Sequence, residues 1–157
     1  MSLISDMEAF ADLLNGIQKD YWLDLLKVAQ QVEVVPMSEV FTKDEIKRIK
    51  LLVRPKKKMC YNNSHQLTYL FPEKVKYVEG RMSYSGLPID HAFNRVSDKY
   101  VDITIELALK RDVRKYEYVK FAEYDTRQIH TAALSTGYYG NYYNFYWKEA
   151  KKDDYIL

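Results

Sequence analysis

Much that would narrow the function of this chain is scarce or missing. There is one cysteine, Cys60, so no internal disulfide can form, and a chain of 157 residues is long enough to bury an ordinary core without one. Disulfide-stapled secreted scaffolds are thereby excluded, and a reducing cytoplasm is the expected compartment. No charged-then-apolar leader opens the sequence and no long apolar run interrupts it, so neither export nor a membrane partner is expected. No charge sign dominates. The 24 basic and 22 acidic residues leave a net charge of +2, and a mixed surface of that kind does not by itself argue for nucleic acid. Neither an internal repeat nor a composition break divides the chain, which predicts a single domain over 1–157.

What is plentiful is tyrosine. There are 15, and much of the aromatic content falls in the last third, where Tyr138 to Trp147 is too aromatic for a flexible linker and must pack, bind, or both.

Periodicity supplies the elements. From Ser5 to about Gln31 apolar residues recur at three- and four-residue steps, predicting a one-sided helix that Gly16 bends or splits. Thr42 followed by Glu45 reads as a capping box opening a second helix to about Leu52. The basic run Arg54 to Lys58 is then a loop, and a helix ended by Pro72 follows, with Cys60 at or near its start. After Pro72 the period changes to two, predicting a strand through Ser85 and a turn at Ser85-Gly86-Leu87-Pro88. Strands over Ile89–Val96 and Lys99–Ile105 follow, joined at Ser97-Asp98. Glu106 to Arg114 fits a loop or a short helix, Tyr116 to Tyr124 a strand, and Thr126 to Leu134 a helix with a threonine cap and a stop at Gly137. The order is α+β, with a cysteine helix packed on an antiparallel sheet.

Three residues in that order suggest chemistry. A thiol is mostly protonated at neutral pH, and a helix N-terminus together with an imidazolium favours the reactive thiolate. Cys60 is placed for the first, and His91 would supply the second while Asp102 orients its ring. With the hairpin turning at Ser97-Asp98, Val96 pairs with Lys99, Phe93 with Asp102 and His91 with Thr104. His91 and Asp102 are then diagonal neighbours on one face. The Cys60 amide is the natural oxyanion donor, with Asn62, Asn63 or another upstream polar side chain as a second. His65 and His130 read as packing or surface residues, and no metal site is expected because Cys60 and the three histidines match no ligand spacing.

The stretch His91-Ala92-Phe93-Asn94-Arg95-Val96, then Lys99-Tyr100-Val101-Asp102-Ile103-Thr104, resembles the histidine and aspartate strands of the transglutaminase-like cysteine enzymes of the papain-like superfamily. A histidine followed by a small residue and an aromatic, a turn, and an aspartate trailed by a threonine two positions on are the features shared. With Cys60 upstream, the resemblance covers about Met59 to Ile105 and implies Cys60 as nucleophile, His91 as base and Asp102 as orienter. It departs at the nucleophile, where the family has a nearby aromatic such as tryptophan and this chain has Tyr61-Asn62-Asn63. The chain also looks like compact phage and bacterial proteins with a Glu79-Gly80-like strand before the histidine.

The expectation is a cysteine-dependent acyl-transfer enzyme, a hydrolase or transferase that needs no cofactor and acts on an acyl substrate such as a protein or peptide. A second reading is an inactive, protein-binding module on the same scaffold, using the tyrosine-rich end as its contact surface. A third is single-stranded nucleic acid held by Arg54 to Lys58 with tyrosines as stacking surfaces. The sequence leaves the oligomeric state open.

Overall fold

The computed structural model describes residues 2–84 and 87–154. It is α+β, with a curled antiparallel sheet flanked by helices. The first predicted helix is two: α1, Leu3–Asp12, and α2, Gly16–Val28, with Gly16 at φ +61° where the chain turns between them. After α2 the chain runs extended as β1, Gln30–Val32, where the sequence pattern had continued the helix. The capping box forms as expected. Thr42 accepts from the Glu45 amide and Glu45 accepts from the Thr42 amide, opening α3, Lys43–Arg48, which continues as a π-helical turn over Ile49–Val53.

Next come α4, Cys60–Leu70, and three strands: β2, Val75–Tyr84, β3, Leu87–Val96, and β4, Lys99–Val101. Of the turn expected at Ser85 to Pro88, Leu87 and Pro88 open β3, while Ser85 and Gly86 lie outside the described residues. A second π-helical turn, Thr104–Ala108, follows β4, and the chain ends in β5, Tyr118–Tyr124, α5, Thr126–Thr136, and α6, Tyr142–Lys151. The cap of α5 is Asp125, not a threonine: its carboxylate accepts from the Gln128 amide, and the Gln128 side chain accepts in return from the Asp125 amide.

The strand order is β1-β5-β2-β3-β4, every neighbour antiparallel. The sheet curls until its edges meet, because Val34 bridges to Tyr100 in parallel and the Val35 amide donates to the Tyr100 carbonyl at 2.9 Å. Inside the curl Val78, Met82, Phe93, Ile105 and Tyr118 pack together. Each such buried side chain contributes about 1.5–3 kcal/mol. Leu67 of α4 packs with Val75, Val96 and Val101, while α1 and α2 cover Val119.

In β2 both faces are buried from Tyr77 through Gly80, which is what a central strand with helices on one side and the curl on the other requires. Gly80 sits at a bulge against β5, and a Cβ there would lie 1.8 Å from the Val119 carbonyl oxygen. The neighbouring Glu79 carboxylate is buried at the start of α6. It accepts the Tyr142 and Tyr143 amides, each at 2.8 Å, and the Tyr77 hydroxyl at 2.6 Å. Those amides are the donors a helix N-terminus leaves unpaired, so this acid anchors α6 to the sheet.

Candidate functional site

Cys60 is the first residue of α4, so its amide has no acceptor within the helix. Asn63, one turn later, fixes the loop leading into it. Its Oδ1 accepts the Lys56 amide at 3.1 Å, and its Nδ2 donates to the Lys56 carbonyl at 2.8 Å and to the Thr104 hydroxyl at 2.9 Å. The helix itself is docked on the sheet by Asn94 of β3, whose Nδ2 donates to the Ser64 carbonyl and the Thr68 hydroxyl. Cys60 is half-buried at the edge of the cluster of Tyr77, Ala92, Ile129, Ala132 and Tyr142.

The hairpin pairs as expected for three residue pairs, Val96 with Lys99, Arg95 with Tyr100 and Asn94 with Val101, and then β4 stops. The expected strand through Ile105 is therefore too long. The cause is Asp102 itself: its Oδ1 accepts the amides of Thr104 at 3.1 Å and Ile105 at 3.2 Å, coiling the chain into the π-helical turn. Its other oxygen faces the sheet. His91 Nε2–H donates to Oδ2 at 2.7 Å, and the buried Tyr118 hydroxyl donates to the same oxygen at 2.8 Å. His91 and Asp102 thus meet, by a cap at a strand end and not as diagonal neighbours in a ladder.

Nε2 is committed to Asp102, and the Cys60 side chain lies close enough to act on the imidazolium electrostatically. Burial alone would push the imidazolium toward losing its proton. The charge and hydrogen bond of Asp102, followed by the contact with Cys60, outweigh it and raise His91 to about 10. The ring therefore carries its proton through neutral pH. His91 and Asp102 are only 4% and 1% exposed, so this charge pair is screened little by solvent.

Several other side chains are spoken for. Asn63 spends its whole amide on Lys56 and Thr104, which removes it as an oxyanion donor, while Asn62 accepts from Gln66 at 3.5 Å. His65 is fully buried, with Nε2 2.8 Å from the Tyr142 hydroxyl and its ring against Tyr139, and burial lowers it to about 4, with His130 adding to the effect. It is a neutral packing residue, and His130 is exposed. Tyr61 stands beside Cys60, and its ring fills the space that a Cβ on Gly140 would need, so the loop before α6 lies against the site. Burial raises the Tyr61 phenol, and Asp90, Glu79 and Cys60 add to it electrostatically. Tyr118 is the member of the cluster that sequence reasoning missed. A tyrosine on a β-alternating strand carries no local mark that its hydroxyl ends on a carboxylate sixteen residues away.

Five surface depressions among the described residues are lined by other side chains than Cys60, His91 and Asp102. Among the described residues no group of three or more His, Cys, Asp or Glu side chains is placed to hold a metal, and no helix is long and apolar enough to cross a membrane. No family model matches the chain, and no curated protein or solved structure matches it either.

Proposed function

We propose that this chain is a cysteine-dependent acyl-transfer enzyme of the transglutaminase-like, papain-like kind, working in a reducing cytoplasm on an amide, ester or thioester. The observation that carries the reading is the buried His91–Asp102 hydrogen bond at 2.7 Å, with the Cys60 side chain near enough to favour the protonated ring further. Cys60 sulfur attacks the substrate carbonyl carbon, and the oxyanion that forms is stabilised by the amide of Cys60, which has no acceptor within α4. His91 delivers its proton to the leaving group, giving a thioester on Cys60. Water or an amine then attacks that thioester, His91 takes up the attacking group's proton, and the thiolate returns. Asp102 keeps the ring oriented throughout, held itself by Tyr118 and the two turn amides.

The test is an activated ester. Exposed to p-nitrophenyl acetate, the protein releases a burst of nitrophenolate stoichiometric with enzyme and gains one acetyl group on Cys60, and Cys60→Ala does neither. Acetylation elsewhere, with Cys60 untouched, sinks the reading.

A second reading draws on the low exposure of His91 and Asp102 and on the surface left by Leu134, Tyr138, Tyr139 and Tyr146, all exposed. A scaffold of this kind with a closed site would serve as a protein-binding module. Capture of a partner that survives Cys60→Ala and fails in Tyr138→Ala/Tyr139→Ala favours it.

A further inference from the structure

The loop that leads into Cys60 and the turn that follows Asp102 meet at a second concavity, which acyl transfer does not use. It is an open depression of about 520 Å3 lined by Lys50, Arg54, Pro55, Glu106, Leu107 and Lys110. Three cations there face one carboxylate. None of the three is in an ion pair among the described residues. Glu106 has a structural task of its own, since its Oε1 accepts the Met37 amide at 2.9 Å. Burial pushes its carboxyl up from the ordinary range, with Asp102 and Asp112 adding to this and Lys50 opposing it. The depression therefore holds an excess of positive charge.

The backbone gives a second, independent indication. Arg54 and Lys110 have φ of 52° and 53°, and Lys58 on the adjoining loop has φ of 62°. Left-handed backbone suits glycine or asparagine, so a basic residue at each of these positions carries a modest conformational cost that local geometry does not require. The end of a helical turn favours a cation, and Arg54 Nε–H does donate to the Leu51 carbonyl at 2.9 Å. That accounts for one nitrogen and leaves the two terminal nitrogens of the guanidinium unspent.

We propose that this depression is a binding site for a phosphate-bearing ligand, whose anionic groups are held by Lys50, Arg54 and Lys110. A planar guanidinium with both terminal nitrogens free and two ammonium groups suit a multiply charged phosphate better than a single carboxylate. The volume exceeds what one phosphate fills and lies in the range of small-molecule sites. The site stands whether or not Cys60 turns over. Asn63, bonded to both Lys56 and Thr104, links the two segments that border it.

The experiment titrates the full chain with inorganic pyrophosphate by calorimetry at low salt, and in a second arm with vesicles of phosphatidylserine against vesicles of phosphatidylcholine. Pyrophosphate is expected to bind, more weakly as salt rises, and the variant K50E/R54E/K110E to bind about tenfold or more weaker. The control K56E/K57E/K58E makes the same change in net charge on the adjoining exposed loop and is expected to lose less than about threefold. Binding to phosphatidylserine alone, with the same dependence on the two variants, supports the site and assigns its phosphate to a lipid headgroup. Equal losses in the two variants, or no binding of either probe, overturn the proposal. If circular dichroism finds the triple variant unfolded, K50Q/K110Q against K57Q/K58Q reads the same contrast, because all four lysines are exposed.

Discussion

Asp102→Asn separates the charge of this residue from its shape. The amide keeps an acceptor for the Thr104 and Ile105 amides, so the turn stays capped. What it loses is the negative oxygen on which His91 and Tyr118 converge at 2.7 and 2.8 Å. Breaking a buried pair by removing one partner costs about 3–5 kcal/mol, a large part of the total stability of a domain. The cost also has a definite pH dependence. His91 sits at about 10 in the folded chain against an ordinary value near 6.5, so its pairing contributes stability in full below about pH 6.5 and loses it as pH rises through about 10. Integrated over that window the contribution is at most about 5 kcal/mol. Urea unfolding followed by far-UV circular dichroism at about pH 6.5, 8 and 10 measures it. Asp102→Asn should be several kcal/mol less stable than the parent chain at the lowest pH, and the gap should close toward pH 10. A gap below about 1 kcal/mol at pH 6.5, or one that does not vary with pH, refutes the buried charge pair.

Two further substitutions test the frame around the site. Asn63→Ala leaves the Lys56 amide and carbonyl and the Thr104 hydroxyl without their partner, so it should cost about 2–3 kcal/mol and speed hydrogen exchange at the Lys56 amide, with unchanged exchange there counting against the tie. Gly80→Ala puts a methyl group 1.8 Å from the Val119 carbonyl oxygen in a central strand pair, and neither backbone can yield. It should lower the melting temperature by roughly 6–12 °C or prevent folding, and a melt within about 2 °C of the parent would mean that β2 and β5 are not so closely apposed.

The parts of the fold legible in the sequence are those set by local chemistry. The Thr42 and Glu45 capping box, the turn of the chain at Gly16, the start of α4 at Cys60 and the pairing of Val96 with Lys99 all depend on residues a few positions apart. Where a distant partner decides, the pattern misleads. The helical period runs on to about Gln31, yet Gln30 to Val32 is drawn into the sheet by pairing with Tyr118 to Lys120. Asp102 to Ile105 alternates like a strand, yet the aspartate captures the next amides and ends it. His91 and Asp102 could be named from type and spacing, but Tyr118 could not, because its approach depends on how far the sheet curls. The role of Asn63 was open in the sequence for the same reason. Only the position of Thr104 decides that its amide ties two segments together and is not free toward a substrate.

The measurement that bears most directly on the proposed chemistry is the rate of Cys60 alkylation by iodoacetamide at about pH 6, in the parent chain and in His91→Ala, with the modified residue identified by mass spectrometry. A thiol beside a protonated imidazole reacts at that pH, and removing the ring should slow it about tenfold or more. Equal rates in the two proteins, with the fold of each verified, would contradict the account, because His91 would then do nothing for the sulfur.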